Sequence, residues 1–403
     1  MKIVVIGAGI IGLSTAYELL RAGHEVTLLE KSSGVGLATS FANGAQLSYA
    51  YVQPLASPAT LRDVPGYLID PAAPLKFKPQ LSWAQWKWCC QFLFACNQSQ
   101  VERTTETLLK LSSLSRKGFD SWYQTSNPDC AFQQNGKLVI YGSQAAVHSA
   151  GRQVALQALH SPAQKVCTTD ECITLEPALA GYRTQCAGGV WTESECVADS
   201  YKTCLALQKD ILRLGGIIEC NAEVLELITH NNQITQVVTT KNIFTAEAIV
   251  LANAHAANRL LKPLGLALPL YPLKGYSITL PKAIFRRIPS RSITDAKHKV
   301  VYAPVGDAIR IAGMAELVGE DLAINPKRIN ELVQYADRLF GLEEIPKEVA
   351  PWAGLRPATP NSLPIIGKTR YNNLYLNLGH GALGFTLAFG SAMRIAEALS
   401  VAS

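Results

Sequence analysis

Two hydrophobic periods share this chain of 403 residues. At its start, KIVVIGAGIIG is apolar from Ile3 to Ile6 and then meets Gly7, Gly9 and Gly12. IIGLSTAYELLRAG carries apolar residues at helical spacing as far as Ala22, Gly23 stops it, and a β-rich run from Glu25 to Leu29 ends at Glu30. The pattern predicts strand, glycine turn, helix and strand within about 30 residues.

Further along, GKLVIY and GIIEC read as strands, and 143–159, 199–214 and 326–340 as helices. Leu108, Leu109, Leu111, Leu114 and Phe119 follow a period of roughly 3.6, so 82–125 is predicted helical, closed by Pro128. Asn231 and Asn232 lie between a pair of β-rich runs, a hairpin signal. PLKGYSITL, HKVVYAPV and DAIRIAGMAEL are predicted strands, and VLANAHA a buried strand that completes the first sheet. The strand 374–378 meets Gly379 and a final helix from about 383, a second glycine-rich strand-to-helix junction. The loop 34–58 is too long and too rich in small residues for an ordinary connection, and is expected to wrap a ligand.

One stretch, SWAQWKWCCQFLFAC, places Trp83, Trp86, Cys90, Leu93 and Phe94 on a single helical stripe, with Trp88 and Phe92 beside it. It reads either as a core-facing helix covering a sheet, the preferred expectation, or as a face that dips into a bilayer interface with one weak basic anchor, Lys87.

Length allows a large core and two domains or one interleaved architecture. The net charge of +6 is spread over 37 basic and 31 acidic residues without a Lys/Arg block, which argues against nucleic acid as a partner. Ten cysteines show no CxxC pair and no zinc spacing, so they read as reduced buried thiols and no metal is expected. The first strand begins at Ile3 and leaves no room for a signal peptide, and no apolar run reaches roughly 18 residues. The protein is therefore expected on the cytoplasmic side, with peripheral inner-membrane contact left open by the tryptophan stretch.

The opening glycines have separate tasks. Gly7 permits the tight turn, Gly9 lets a pyrophosphate approach the backbone, and Gly12 lets helix and strand pack closely. Glu30 suits ribose hydroxyls and repels a 2′-phosphate. Together they predict an adenine dinucleotide cradle whose helix N-terminus faces the phosphates. Ala8, Ile10, Ile11 and Lys31 belong to the same cradle, with Val224 and Ala252 expected beside it. A permanently held flavin needs contacts from further segments. Ser40, Asn43, Gly44 and Gln46 offer these near the pyrophosphate and ring, and Gly379, His380, Gly381, Leu383, Gly384 and Thr386 are expected to frame the pyrimidine edge. FAD is the expected cofactor. The fold class is α/β, a Rossmann-like FAD-binding domain interleaved with a β-rich (α+β) substrate-binding domain. Its expected division is 1–80, 143–260 and 350–403 against 81–142 and 261–349.

These segments also carry a resemblance. VVIGAGIIGLSTAYEL, TSFANGAQLSYAY, YPLKGYSITL, WAGLRPATPNSLPIIG and LYLNLGHGALGFTLAFGSA are similar to those of the bacterial FAD-dependent D-amino acid dehydrogenases, within the wider D-amino acid oxidase and sarcosine oxidase superfamily. The resemblance runs along nearly the whole chain. It implies oxidation of a D-amino acid to an imine, hydrolysis to a 2-oxo acid and ammonia, and delivery of electrons to a membrane quinone or similar acceptor. Alternatives are a secondary-amine oxidase that produces peroxide, since fold does not fix chemistry, and a non-catalytic flavin-binding electron-transfer subunit.

Hydride transfer from Cα is mainly a positioning problem, solved by a carboxylate clamp. Arg356 in GLRP is the candidate, because a guanidinium fork binds a carboxylate bidentately; the alternative is a structural ion pair. Tyr276 and Tyr271 are candidates to hydrogen-bond the same carboxylate or line a pocket, against ordinary strand tyrosines. Lys274 is expected over the flavin or, equally, on a surface turn. Gln46, Ser48 and Tyr51 are expected to face the substrate. No side chain is nominated as general base, since water can take the amino proton.

Overall fold

The computed structural model describes residues 1–69, 74–158, 161–346 and 349–400. Two sheets organise it. The first has six strands in the order Ile365–Lys368, Leu374–Leu378, Ala248–Leu251, Lys2–Ile6, Glu25–Leu29, Ile217–Glu219. All neighbours are parallel except the antiparallel edge strand Ile365–Lys368. The helices Ile10–Arg21, Ser200–Arg213 and Gly384–Ser400 supply apolar residues to its core, which joins Val5, Leu13, Leu28, Leu207, Val250 and Phe389. Parallel strands covered in this way read as continuous apolar runs, which is why KIVVI and AIVL were recognisable.

The second sheet has nine strands. Its path runs Pro351–Ala358, Tyr271–Pro281, Ala308–Leu317, Val300–Val305, Ser292–Asp295, Lys137–Tyr141, Gly188–Thr192, Lys165–Cys167, with Leu75–Phe77 added beside Ala308–Leu317. The amphipathic helix Pro326–Phe340 buries Ile329, Leu332, Val333, Ala336 and Phe340 against one face, with Tyr276, Ile278 and Tyr302. Lys165–Cys167, Gly188–Thr192 and Pro351–Ala358 thus join the large sheet, although the expected segment boundaries grouped them with the nucleotide-binding domain.

Most predicted elements appear with small shifts. Gln144–Gln157 is capped by Ser143 and Ser200–Arg213 by Asp199, each cap side chain accepting from the first turn. Val224–His230 and Gln233–Thr239 form the hairpin, with Asn231 and Asn232 at φ 49° and 56°, the left-handed pair such a turn requires. The long predicted helix 82–125 divides into Trp83–Ala95 and Gln98–Ser126, because Asn97 leaves helical geometry and caps the second helix by accepting from Gln100. The tryptophan helix covers the large sheet as preferred, but through the residues beside the stripe and not through the stripe itself. Trp88 and Phe92 pack inward with Tyr271 and Leu273, while Trp83, Trp86, Leu93 and Phe94 are exposed. The C-terminal helix is long and apolar, yet more than half of it lies buried inside the protein.

Candidate active site

One cavity of about 520 Å³ runs between the two sheets. Its nucleotide end is built by the first turn. Gly7, at φ 105°, has the Ala252 carbonyl and Asn253 Cα only 2.9 Å from where a Cβ would stand, and a Cβ on Gly12 would overlap the Gly7 carbonyl oxygen. Gly9 and Ile10 line the cavity, and the Ile10 N–H is held by Ser40 Oγ at 3.0 Å. Glu30 lines it too, accepting from the N–H groups of Ala8 at 2.7 Å and Ser32 at 2.8 Å. Ala8 and Gly12 do not reach the cavity; they shape the turn from behind. Ile11, Lys31, Val224 and Ala252 lie in the wall as expected from the sequence.

The long loop crosses the face of the large sheet. Ser277 Oγ donates to the Ala42 carbonyl at 2.6 Å, Arg310 donates to the Asn43 carbonyl at 3.2 Å, and Gly44 rests on Val301. Gln46 Nε2 donates to Ser292 Oγ at 2.6 Å, and the Ser48 N–H donates to Thr386 Oγ1 at 3.0 Å. Ser40, Asn43, Gly44, Gln46, Ser48 and Tyr51 therefore meet Gly379, His380, Gly381, Leu383, Gly384 and Thr386 around one cavity. Among the described residues, four buried polar atoms in its wall have no protein partner: Asn253 Oδ1, His255 Nδ1, Asn377 Oδ1 and His380 Nε2. Burial lowers His380 to about 3, so its imidazole is neutral. Glycine turns that no Cβ can enter, a helix N-terminus and orphaned polar atoms in the wall fit an extended dinucleotide, and these residues are the ones that would hold FAD.

Arg356 stands at the other end. It projects over Gly275, the residue paired with Gly354 on the neighbouring strand, and a Cβ on Gly275 would collide with the guanidinium. A Cβ on Gly354 would likewise strike the Trp352 ring. The two glycines form a trough that holds both side chains flat. Nη1 donates to the Met314 carbonyl at 2.7 Å, and burial alone lowers the guanidinium to about 10. No ion pair engages it among the described residues, so the structural-pair alternative is not what the geometry offers. The carboxylates that line the cavity are Glu30 and Glu223, both by the nucleotide turn, whereas Arg356 and Lys137 line it elsewhere.

Three sequence candidates are corrected. Lys274 does not line the cavity; its buried ammonium donates to the Ala323 carbonyl and faces Asp321. Tyr276 borders the cavity, but its ring belongs to the core on the opposite side and its hydroxyl donates to Glu316 Oε2 at 2.8 Å. Tyr271 packs against Trp88 with its hydroxyl accepting from Gln85 Nε2 at 2.9 Å and the Gly319 N–H at 3.0 Å, and it does not reach the cavity. Strand alternation separates Lys274 and Tyr276 from Gly275, over which Arg356 lies. Residues the sequence reading missed are Lys137, buried yet lining the cavity, and Trp352 and Met314 beside the guanidinium. A lone lysine opening a strand carries no signal of its own.

A glycine-turn dinucleotide fold joined to a curtain of strands across one cavity is the architecture of a flavin-dependent oxidoreductase. The chain belongs to the family described as FAD dependent oxidoreductase, whose model matches residues 2–398. It is 43% identical to D-amino acid dehydrogenase 2 of Ralstonia nicotianae, covering 99% of this chain and 96% of that one. It is 41% identical to D-amino acid dehydrogenase 2 of Pseudomonas aeruginosa, covering 98% and 94%. Among solved structures it is similar to L-proline dehydrogenase from P. horikoshii, with a TM-score of 0.77, 21% identity and coverage of 99% and 93%.

Proposed function

We propose that this protein is an FAD-dependent D-amino acid dehydrogenase that deaminates small apolar D-amino acids and passes the electrons to a membrane quinone-type acceptor. The observation that carries the substrate reading is Arg356, a half-buried guanidinium facing the cavity with only a neutral carbonyl for company. When bound, FAD supplies the two-electron acceptor for the Cα hydride, and the resulting imine is hydrolysed to the 2-oxo acid and ammonia. Arg356 binds the substrate carboxylate in a two-point, charge-assisted pair, and the Met314 carbonyl fixes the plane of the fork. Val301 and Ala312 give the nearby wall an apolar surface that excludes water and accepts a small aliphatic side chain. Neither lining carboxylate is placed to pair with a cationic side chain at this end. The amino group enters neutral, its proton lost to solvent beforehand.

The acceptor reading is supported by the outward face of Trp83–Ala95. Trp83 is 81% and Phe94 83% exposed, with Leu81, Trp86 and Leu93 beside them, a concentration of aromatic surface suited to the headgroup region of a bilayer on the cytoplasmic side. The Trp83→Ser, Phe94→Ser double variant is expected to lose sedimentation with phosphatidylethanolamine/phosphatidylglycerol vesicles while keeping its flavin. Vesicle binding equal to wild type removes this face from the proposal.

The central test is anaerobic titration of the yellow protein with D-alanine, L-alanine, glycine and sarcosine, following the flavin absorbance. Bleaching by D-alanine at the lowest concentration, with little peroxide formed in air, is the expected result. Bleaching led by sarcosine or glycine with stoichiometric peroxide indicates a secondary-amine or glycine oxidase instead. Bleaching by none indicates an electron-transfer subunit.

A further inference from the structure

Lys137 opens the strand Lys137–Tyr141 and is 3% exposed, yet it lies in the cavity wall. Its Nζ donates to Ser48 Oγ at 2.8 Å and lies 4.4 Å from the centre of the Tyr51 ring. An ammonium has three protons to place, and Ser48 takes one. The charged group that faces it is Glu195, in the turn after Gly188–Thr192, and that carboxylate is already engaged by the N–H groups of Tyr49, Ala50 and Tyr51 at 2.8, 2.6 and 3.2 Å. Ser292 adjoins Lys137 on the next strand, and Tyr141, farther along its own strand, bonds Tyr51.

Ser48 also donates its backbone N–H to Thr386 Oγ1, in the first turn of the C-terminal helix that follows the Gly379–Leu383 junction. One serine thus bridges a buried cation and a helix start, both in the wall of the same cavity. We propose that Lys137 sets the electron affinity of the flavin: its charge stabilises the negative charge the bound ring acquires on two-electron reduction. A positive charge in a low-dielectric wall acts over several ångströms without touching the ring. This rests on the FAD reading but not on the identity of the amino acid. Burial lowers Lys137 to about 8, with Glu195 opposing the shift, so the charge is present at neutral pH and available to be lost just above it.

The experiment uses the yellow holoenzyme and the variants Lys137→Met and Lys137→Arg. The probe is sulfite, a nucleophile that adds to oxidised flavin and leaves it negatively charged. The methionine variant is expected to bind sulfite about tenfold or more weakly at pH 7 and the arginine variant within about threefold of wild type, at equal flavin content. The wild-type midpoint potential, measured by dye equilibration, is expected to fall more steeply with pH above about 8, because reduction then draws a proton onto Lys137. That second measurement needs no variant. Equal sulfite affinity in the methionine variant, with only its melting temperature changed, or a wild-type potential with no steepening, overturns the proposal and leaves Lys137 as a counter-charge to Glu195. A yellow wild type that no D-amino acid bleaches sinks the substrate reading alone; a colourless one sinks both.

Discussion

Replacing Arg356 by alanine sets two opposed effects against each other. Burial lowers the guanidinium from its ordinary range to about 10. At about 1.4 kcal/mol per pH unit, that is a cost of about 3 kcal/mol for keeping the charge in the cavity wall without an anion. The Met314 carbonyl at 2.7 Å offsets little of it, being neutral. A substrate carboxylate recovers the cost through a bidentate pair, so alanine removes about 3 kcal/mol of transition-state stabilisation, a fall in kcat/KM on the order of a hundredfold. The substrate-free enzyme, relieved of a half-buried charge without an anion, is expected to melt no lower than wild type. Arg356→Lys keeps the charge but not the fork and loses about tenfold. The assay is steady-state turnover of D-alanine beside thermal unfolding, at matched flavin content. A kcat/KM within about threefold of wild type, or a melting temperature that drops together with activity, would refute the clamp.

Further expectations concern the cradle, the misassigned lysine and pH. Gly9→Val is expected to fold but purify colourless, since a Cβ at Gly9 meets only Ser40 Oγ at 3.4 Å in the protein itself, whereas Gly12→Ala is expected to lose the native circular dichroism through its collision with Gly7; a yellow Gly9→Val protein contradicts the cradle. Lys274→Met is expected to change kcat/KM by less than about twofold while lowering the melting temperature, because its partners Ala323 and Asp321 lie outside the cavity; a changed flavin spectrum contradicts this. Lys137 titrates near 8 folded against 10.5 ordinarily, so in that window the unfolded chain holds more protons and stability rises with pH. Wild type is expected to gain on Lys137→Met by at most about 3 kcal/mol between about pH 7 and about pH 10 in denaturant titrations, and a constant difference refutes the buried charge.

What was readable in the sequence was contiguous. The first turn needs three glycines and an acid at fixed spacing, so Gly7, Gly9, Gly12 and Glu30 announce themselves, as do the Asn231–Asn232 hairpin and the helix starts near 143 and 199. YPLKGYS shows where such reading stops. Its seven residues alternate between two faces, and only the helix Pro326–Phe340 on one side and the cavity on the other decide which face matters. Lys274 and Tyr276 fell on the wrong side for that reason. Lys137 was invisible because its meaning comes from Ser48, Tyr51 and Glu195, all distant in the chain. The tryptophan helix had enough apolar residues for either face to pack, and Tyr271 chose the Trp88 side.

The trough made by Gly275 and Gly354 constrains how substrate preference can be altered. Any residue larger than glycine at either place strikes the guanidinium or the indole, so the floor of the pocket is fixed by sterics before selection for a new side chain begins. Variation is left to the rim, where Val301 and Ala312 line the cavity. Libraries meant to retune this catalyst gain from randomising that rim and leaving the two-glycine floor untouched.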